Sequence, residues 1–369
     1  MMIAVDTTPD AGPGLSQATA LPARRILSSW ELVAYAMLAV RFVQGFIYWG
    51  GGSRRFIYAP QKLDPHAASW MANKFQGAMP GAILGTSHIV NFLLHHFDLL
   101  YAGIIIFSAI ELFSGLFLIL GLFTRASALV TIGLSTALML LFGWEGATCL
   151  DEWTMAACNF GMGAALFAAG SSAFSLDAVI AKRAPKLAAT SWFPWIASGP
   201  LPTRVFRPFA IMLLLITAAF VMLTYNYYRG SIVTLFHAGP TSPSIHQFSV
   251  SHAMVTENGN LTFTLYLDGG TADDPAHVVG VRLLDSANKP EAVWGPDDLS
   301  KLPQSAIVNE YAYNKFKPAL LGLAAEMGAR ARITLPSVQG ETVTAGSEVE
   351  VQTIDNRLFK SPVTMASAN

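Results

Sequence analysis

Charge is what this sequence has least of. Lys, Arg, Asp and Glu supply 13% of its 369 residues, about half the roughly 25% typical of soluble domains. Cysteine is almost as scarce. Cys149 and Cys158 are the whole complement, which excludes a disulfide-stapled scaffold and a four-cysteine zinc or iron–sulfur site. No CxxCH is present for covalent haem, and no metal or flavin motif is evident. No dense basic stripe exists to displace phosphate counterions, so nucleic acid is not an expected partner. Residues 1–20 lack the early basic region and apolar core of a signal peptide, and 1–27 read as a disordered cytoplasmic tail.

The charge that remains is unevenly divided. Residues 1–235 carry 14 Lys/Arg against 10 Asp/Glu, whereas 236–369 carry 9 against 14, so a near-neutral total of −1 conceals two halves suited to different surroundings. The first half contains long apolar runs. A membrane-crossing helix needs about 20 mostly apolar residues, and five segments qualify: 30–49, 101–123, 126–142, the short 154–169, and 209–225. Residues 50–100 are apolar in places but interrupted by His88, His95 and His96 and by basic residues, and they read as a re-entrant or interfacial segment. The positive-inside rule places Arg24, Arg25, Arg125, Lys182, Arg183, Lys186, Arg204 and Arg207 together on the cytoplasmic side. The acidic loop GWEGATCLDEW and the C-terminus then lie outside. Beyond residue 228 the period changes from helical to alternating. FSVSHAMV, NLTFTLYL, HVVGVRLL, ARITLP and EVEVQTI, separated by turn-forming clusters, predict a β-sandwich.

The expected architecture is therefore a membrane α-helical bundle of about five transmembrane helices followed by an extracytoplasmic all-β sandwich. It divides into a tail (1–27), a four-helix membrane domain (28–172) with the re-entrant segment 50–100, a connector with a fifth transmembrane helix (173–228), and the sandwich (229–369).

Several residues are placed to carry chemistry. Arg54, Arg55, Lys62 and Lys74 fall outside under this topology, against the charge rule. Paired guanidinium groups and the Gly50–Gly52 amides suit a small oxyanion; contact with lipid headgroups is the alternative. Cys149 and Cys158, on the oxidising face, form either a redox pair or a structural bridge, or are inert thiols. Arg41 and Glu111 are ionisable groups inside spans, and such groups are costly unless paired or hydrated. They pair with each other or serve a redox-active ring, with His88 and Trp49 as further candidates. The sandwich has histidines and methionines but no cysteine, so a blue-copper site is excluded there.

The stretches AVRFVQGFIYWGGGSRRFIYAPQKLDP, ANKFQGAMPG, ELFSGLFLILGLFTRASAL and GWEGATCLDEW resemble DoxD, the DoxX-like membrane subunit of thiosulfate:quinone oxidoreductase. The sandwich, ending EVEVQTIDNRLFKSP, resembles the partner subunit DoxA. The resemblance spans nearly all of residues 28–362 and implies a natural fusion. The enzyme it implies oxidises thiosulfate to tetrathionate and passes electrons to membrane quinone, which is an acceptor and not a resident cofactor. The expected location is the inner membrane, multi-pass, with the charge rule placing the N-terminus in the cytoplasm and the sandwich in the periplasm. Thiosulfate, quinone and the lipid bilayer are the expected partners, and assembly as a homo-oligomer is expected.

No catalytic residue is carried over from the resemblance. The residues themselves assign Cys149 and Cys158 to catalysis, Arg54, Arg55, Lys62 and Lys74 to the substrate, and Arg41, Glu111, His88 and Trp49 to the quinone. A non-catalytic membrane subunit associated with a terminal quinol oxidase is the alternative; an oxyanion transporter fits less well, because no inverted repeat is evident.

Overall fold

A computed structural model of the chain describes residues 28–146, 152–230, 232–234, 239, 241–337 and 346–365. Helix α1 (Ser29–Ala36) begins at a capping box, in which the Ser28 hydroxyl accepts from the Glu31 amide and Glu31 accepts in return from the Ser28 amide. The chain bends by 43° at Met37 into α2 (Leu38–Ser53). Short elements follow: a π turn (Arg54–Tyr58), a 3-10 turn (Pro60–Leu63), α3 (Met71–Ala78) and α4 (Thr86–Leu94). Then come the long helices α5 (Phe97–Leu120), α6 (Thr124–Phe142) and α7 (Glu152–Ala169). A connector holding α8 (Leu176–Arg183), α9 (Pro185–Ala188) and α10 (Phe193–Ile196) leads to α11 (Thr203–Arg229).

Helices α5, α6 and α11 are long and apolar enough to cross a membrane, and the bent α1–α2 pair makes a fourth span if it crosses as one. Helix α7 forms where the short fourth span was expected; it carries Glu152, Thr154 and Asn159 among many alanines and glycines and packs against α6 and α2. No described helix between Arg54 and Leu94 exceeds nine residues, which is about 13 Å of rise and too short to span.

Helices α2 and α5 pack most closely, because both present glycine at the contact. A Cβ on Gly52 would lie 2.6 Å from Leu112 Cα, and one on Gly45 would lie 2.9 Å from the Gly115 carbonyl oxygen. Between membrane helices, where lipid removes the hydrophobic drive to associate, such backbone approach is what holds helices together.

The C-terminal half forms two facing sheets. Strands β1 (Gln247–Val255), β2 (Leu261–Gly269), β3 (Ala276–Leu284), β4 (Pro290–Trp294), β5 (Ile307–Asn309), β6 (Phe316–Ala319), β7 (Gly322–Ala325), β8 (Arg330–Leu335), β9 (Glu348–Thr353), β10 (Leu358–Pro362) and β11 (Thr364–Met365) are joined in part by helix α12 (Pro296–Ser300). One sheet runs β11-β1-β2-β8-β5 and the other β10-β9-β3-β7-β6, with β4 beside β3. Strict alternation along β2 sends Leu261, Phe263, Leu265 and Leu267 inward, where they meet Val278, Val281, Ile333, Val349 and Val351.

The halves are fastened by buried side-chain hydrogen bonds. Gln76 on α3 donates to the carbonyls of Asn314 and Gly328, each at 2.9 Å, and accepts from the Asn314 amide at 2.9 Å. Asn314 in turn donates to the Asn73 carbonyl at 2.9 Å. Trp70 and Tyr313 pack edge to face beside this joint, 4.9 Å between ring centroids.

Gln76→Ala would leave these partners buried and unsatisfied, at a cost of about 1–3 kcal/mol. The expected result is a lower Tm and faster hydrogen exchange across residues 311–328. Unchanged exchange there would show that the halves are held elsewhere.

Candidate functional site

Helix α2 continues without interruption into the π turn, which closes when the Ala59 amide donates to the Arg54 carbonyl. Such turns recur at functional sites because they widen the helix and re-aim side chains. Here the turn carries Arg54 and Arg55. Arg55 is largely buried and forms an ion pair with Glu111, near the middle of α5. A Cβ on Gly51 would overlap that carboxylate, so glycine is required for Glu111 to lie on α2. Phe107 lies beneath the Arg55 guanidinium, with its ring centroid 5.9 Å from Cζ.

Lys62, in the 3-10 turn, is half-buried nearby. Burial, followed by the like charges of Arg55, Arg54 and Lys74, lowers its ammonium from the usual lysine value, while Glu111 partly restores it. Lys74 on α3 contacts Glu152 at 2.5 Å and stands over the Phe142 ring. The four cations singled out in the sequence therefore act on one another electrostatically. Two are paired with carboxylates. Among the described residues, Arg54 and Lys62 have no carboxylate within ion-pair distance.

Glu145 lies at the edge of this region. Burial pushes its carboxyl up to about 8; Glu152 and Asp273 push the same way, and Lys74 opposes them. Nothing in the acidic loop's sequence singles out Glu145, because its burial is decided by the fold.

Two expectations are corrected. The amides of Gly50–Gly52 lie inside α2 and are spent on helical hydrogen bonds, so the glycines serve close packing and not anion binding. Arg41 neither pairs with Glu111 nor shares a site with it. It sits at the opposite end of α2, donating to Ser171 Oγ and to the carbonyls of Ala173 (3.1 Å) and Phe174 (2.6 Å). Arg41 and Gly51, against which Glu111 lies, are ten residues apart on α2, about 15 Å by helical rise. The ends of a helix cannot face one quinone ring.

The other expected residues are dispersed. Trp49 is half-buried on the α2–α5 seam, with its backbone against Gly115. His88 is exposed on α4 in a cleft of about 440 Å³ shared with Tyr266, Asp268, Tyr311 and Arg330 of the β half. His95 and His96 cap the end of α4, each ring nitrogen bonded to the carbonyl four residues earlier. Cys158 is exposed in the second turn of α7 and forms no disulfide with a described residue. Cys149 lies outside the described residues.

Spanning helices, a cluster of cations beside a largely buried carboxylate and a fastened two-sheet domain define a membrane protein with an extramembrane β module. Comparison with known families is specific on both halves. The family described as TQO small subunit DoxD matches residues 36–226, and that described as TQO small subunit DoxA matches 229–360. The chain belongs to the DoxD family and carries a DoxA domain fused behind it. Among solved structures, a Pseudomonas fluorescens alkylpurine DNA glycosylase, AlkC, bound to DNA containing an abasic site analog is 11% identical over 91% of this chain and 99% of that one. Its TM-score of 0.17 indicates no common fold.

The raised Glu145 value fixes the sign of a pH effect. Between its ordinary value of 4.5 and about 8, the folded chain keeps a proton that the unfolded chain has lost, so this group's stabilisation is full below that window and falls as pH rises through it. Glu145→Gln is expected to flatten the decline in Tm between about pH 5 and about pH 8. An unchanged slope would assign the decline to other groups.

Proposed function

We propose that the protein is a membrane thiosulfate:quinone oxidoreductase that oxidises thiosulfate to tetrathionate and reduces a membrane quinone. The observation that carries this reading is the charge balance at the π turn. Two uncompensated cations, Arg54 and Lys62, stand beside the Arg55–Glu111 pair near mid-height of a spanning helix. Two positive charges match the dianion S₂O₃²⁻, and mid-height of a span is accessible to a lipid-soluble quinone. Membership in families of thiosulfate:quinone oxidoreductase small subunits supports the same chemistry. Arg54 and Lys62 bind the anion, Arg55 completes its surroundings while held by Glu111, and Lys74 draws anions towards the pocket. Glu111 and Trp49 face the quinone ring from the α2–α5 seam.

The electron route proposed runs through Cys149 and Cys158. One thiosulfate attacks their disulfide through its terminal sulfur, forming a cysteine S-thiosulfonate and releasing one thiolate. A second thiosulfate attacks the bound sulfane sulfur, releasing S₄O₆²⁻ and the other thiolate. The dithiolate then passes two electrons to quinone, which takes two protons to become quinol, and the disulfide re-forms.

Thiosulfate added to the purified chain with a soluble quinone analogue is expected to give quinol and tetrathionate without another protein. No reduction would return the chain to a non-catalytic assembling subunit. Arg54→Ala and Lys62→Ala are expected to raise the KM for thiosulfate by roughly tenfold each, about 1.4 kcal/mol of binding, with kcat little changed. Unchanged KM in both would remove the anion from this pocket. Cys149→Ser and Cys158→Ser are each expected to abolish turnover, and full turnover in both would mean that thiosulfate reacts with quinone directly.

A further inference from the structure

Helix α2 has one face that is polar from end to end. Arg41, Gln44, Tyr48, Gly51 and Arg55 recur at three- and four-residue intervals, so they stack along a single stripe. The stripe is buried: Gln44 is 0% exposed and Arg41 and Tyr48 are each 6% exposed. Polar groups from the surrounding helices face it. The Tyr48 hydroxyl bonds to Ser135 Oγ at 2.7 Å and donates to the Thr131 carbonyl at 3.1 Å, both on α6. Gln44 donates to the Asn159 carbonyl on α7 at 3.0 Å. Ser108 lies one turn from Glu111 on α5 and is fully buried.

Small polar residues often glue membrane helices together by satisfying one another. This set does not close on itself. Gln44 Oε1, Ser108 Oγ, Asn159 Oδ1 and Arg41 Nε are buried with no hydrogen-bond partner among the described residues. Unpaired buried polar atoms are costly, and a buried water typically satisfies about three such groups. Two unmet atoms on the stripe, with one each on the adjoining α5 and α7, have the composition of a hydrated column.

The proposed reaction supplies a use for such a column. Two thiosulfates give up two electrons and no proton, yet quinone needs two protons to become quinol. Those protons must come from water on one face of the membrane. Arg54, Arg55, Lys62 and Lys74 surround the anion pocket with positive charge, which opposes proton entry by the substrate's route. We infer that the buried face of α2 is a proton path, running from the Arg41 end through Gln44, Tyr48 and Ser135 to Glu111. At its entry the Arg41 charge is offset by Asp177, which Ser198 connects to Ser171 and so to Arg41. At its exit Glu111 faces Arg55 and Lys62, with Tyr48 next along α2. The path rests on the oxidoreductase reading for its purpose but not for its test.

The test uses the full chain in proteoliposomes of uniform orientation, with no thiosulfate or quinone. A pH jump is applied only on the Arg41 face, and protonation of Glu111 is followed by its carboxyl infrared band, assigned by its loss in Glu111→Gln. Tyr48→Phe and Gln44→Met keep the side-chain shape and remove the carrier groups. Each is expected to slow protonation roughly tenfold or more, about 1.4 kcal/mol or above in barrier, with the helical circular dichroism unchanged. Protonation at wild-type rate in both variants, or equally fast from a jump on the opposite face, would overturn the path. If either variant misfolds, Ser135→Ala serves in its place, with the same slowing expected. Because no substrate is present, a chain that fails to oxidise thiosulfate would still show or lack this transfer.

Discussion

The close contact between α2 and α5 is the constraint on which the rest of the membrane half depends. Gly45, Gly52 and Gly115 let two backbones meet where ordinary side chains would hold them apart. Lipid does nothing to press these helices together, so the contact must be dispersive and complementary in shape. Once the axes are this close, Glu111 has room only against Gly51, and the π turn then brings Arg55 to it. A single charge at that depth would be expensive, and the pair is tolerable because each ion is the other's solvent. The placing of these cations is thus a result of helix packing as much as of charge.

At the far end of the bundle the same residue type has the opposite fate. Arg125 is 1% exposed, and its guanidinium is spread over the carbonyls of Phe167, Ala168, Pro194 and Gly199. Asp177 collects donors from Phe123, Thr124 and Ser198. These two residues tie the start of α6, the end of α7 and the connector into one corner. An arginine bonded to four carbonyls in this way is a structural clamp, whereas Arg54 and Lys62 meet no carboxylate within ion-pair distance among the described residues. Side-chain identity does not distinguish the two roles; the surrounding acceptors do.

That difference explains how far the sequence could be read. Hydropathy located the spanning helices, and alternation located β1, β2, β3, β8 and β9, because both patterns record which face is buried. The short strands β4 to β7, β10 and β11 were not legible: three to five residues, or two in β11, give alternation too little length, and tertiary pairing decides them. Arg54, Arg55, Lys62 and Lys74 stood out by breaking a charge rule, and the fold brings them into mutual range. Whether Arg41 and Glu111 pair was open in the sequence, because hydropathy ranks both as intramembrane ions and is blind to which end of a helix each occupies; the fold pairs Glu111 with Arg55. The polar stripe was visible in principle at positions 41, 44, 48, 51 and 55, but its burial required the neighbouring helices.

The joint at Gln76 and Asn314 changes what the fusion of the two halves means. Two side chains from opposite halves already satisfy one another's backbone in a buried setting, so the peptide between Arg229 and Gln247 need not carry load. Its effect is that of a tether. It holds the β module near its bundle at an effective concentration of about millimolar, so a joint of modest intrinsic affinity stays occupied even when copies of the protein are few and dilute. It also fixes one module to each bundle. Covalent continuity here sets stoichiometry and occupancy, while specificity remains with a handful of amide groups.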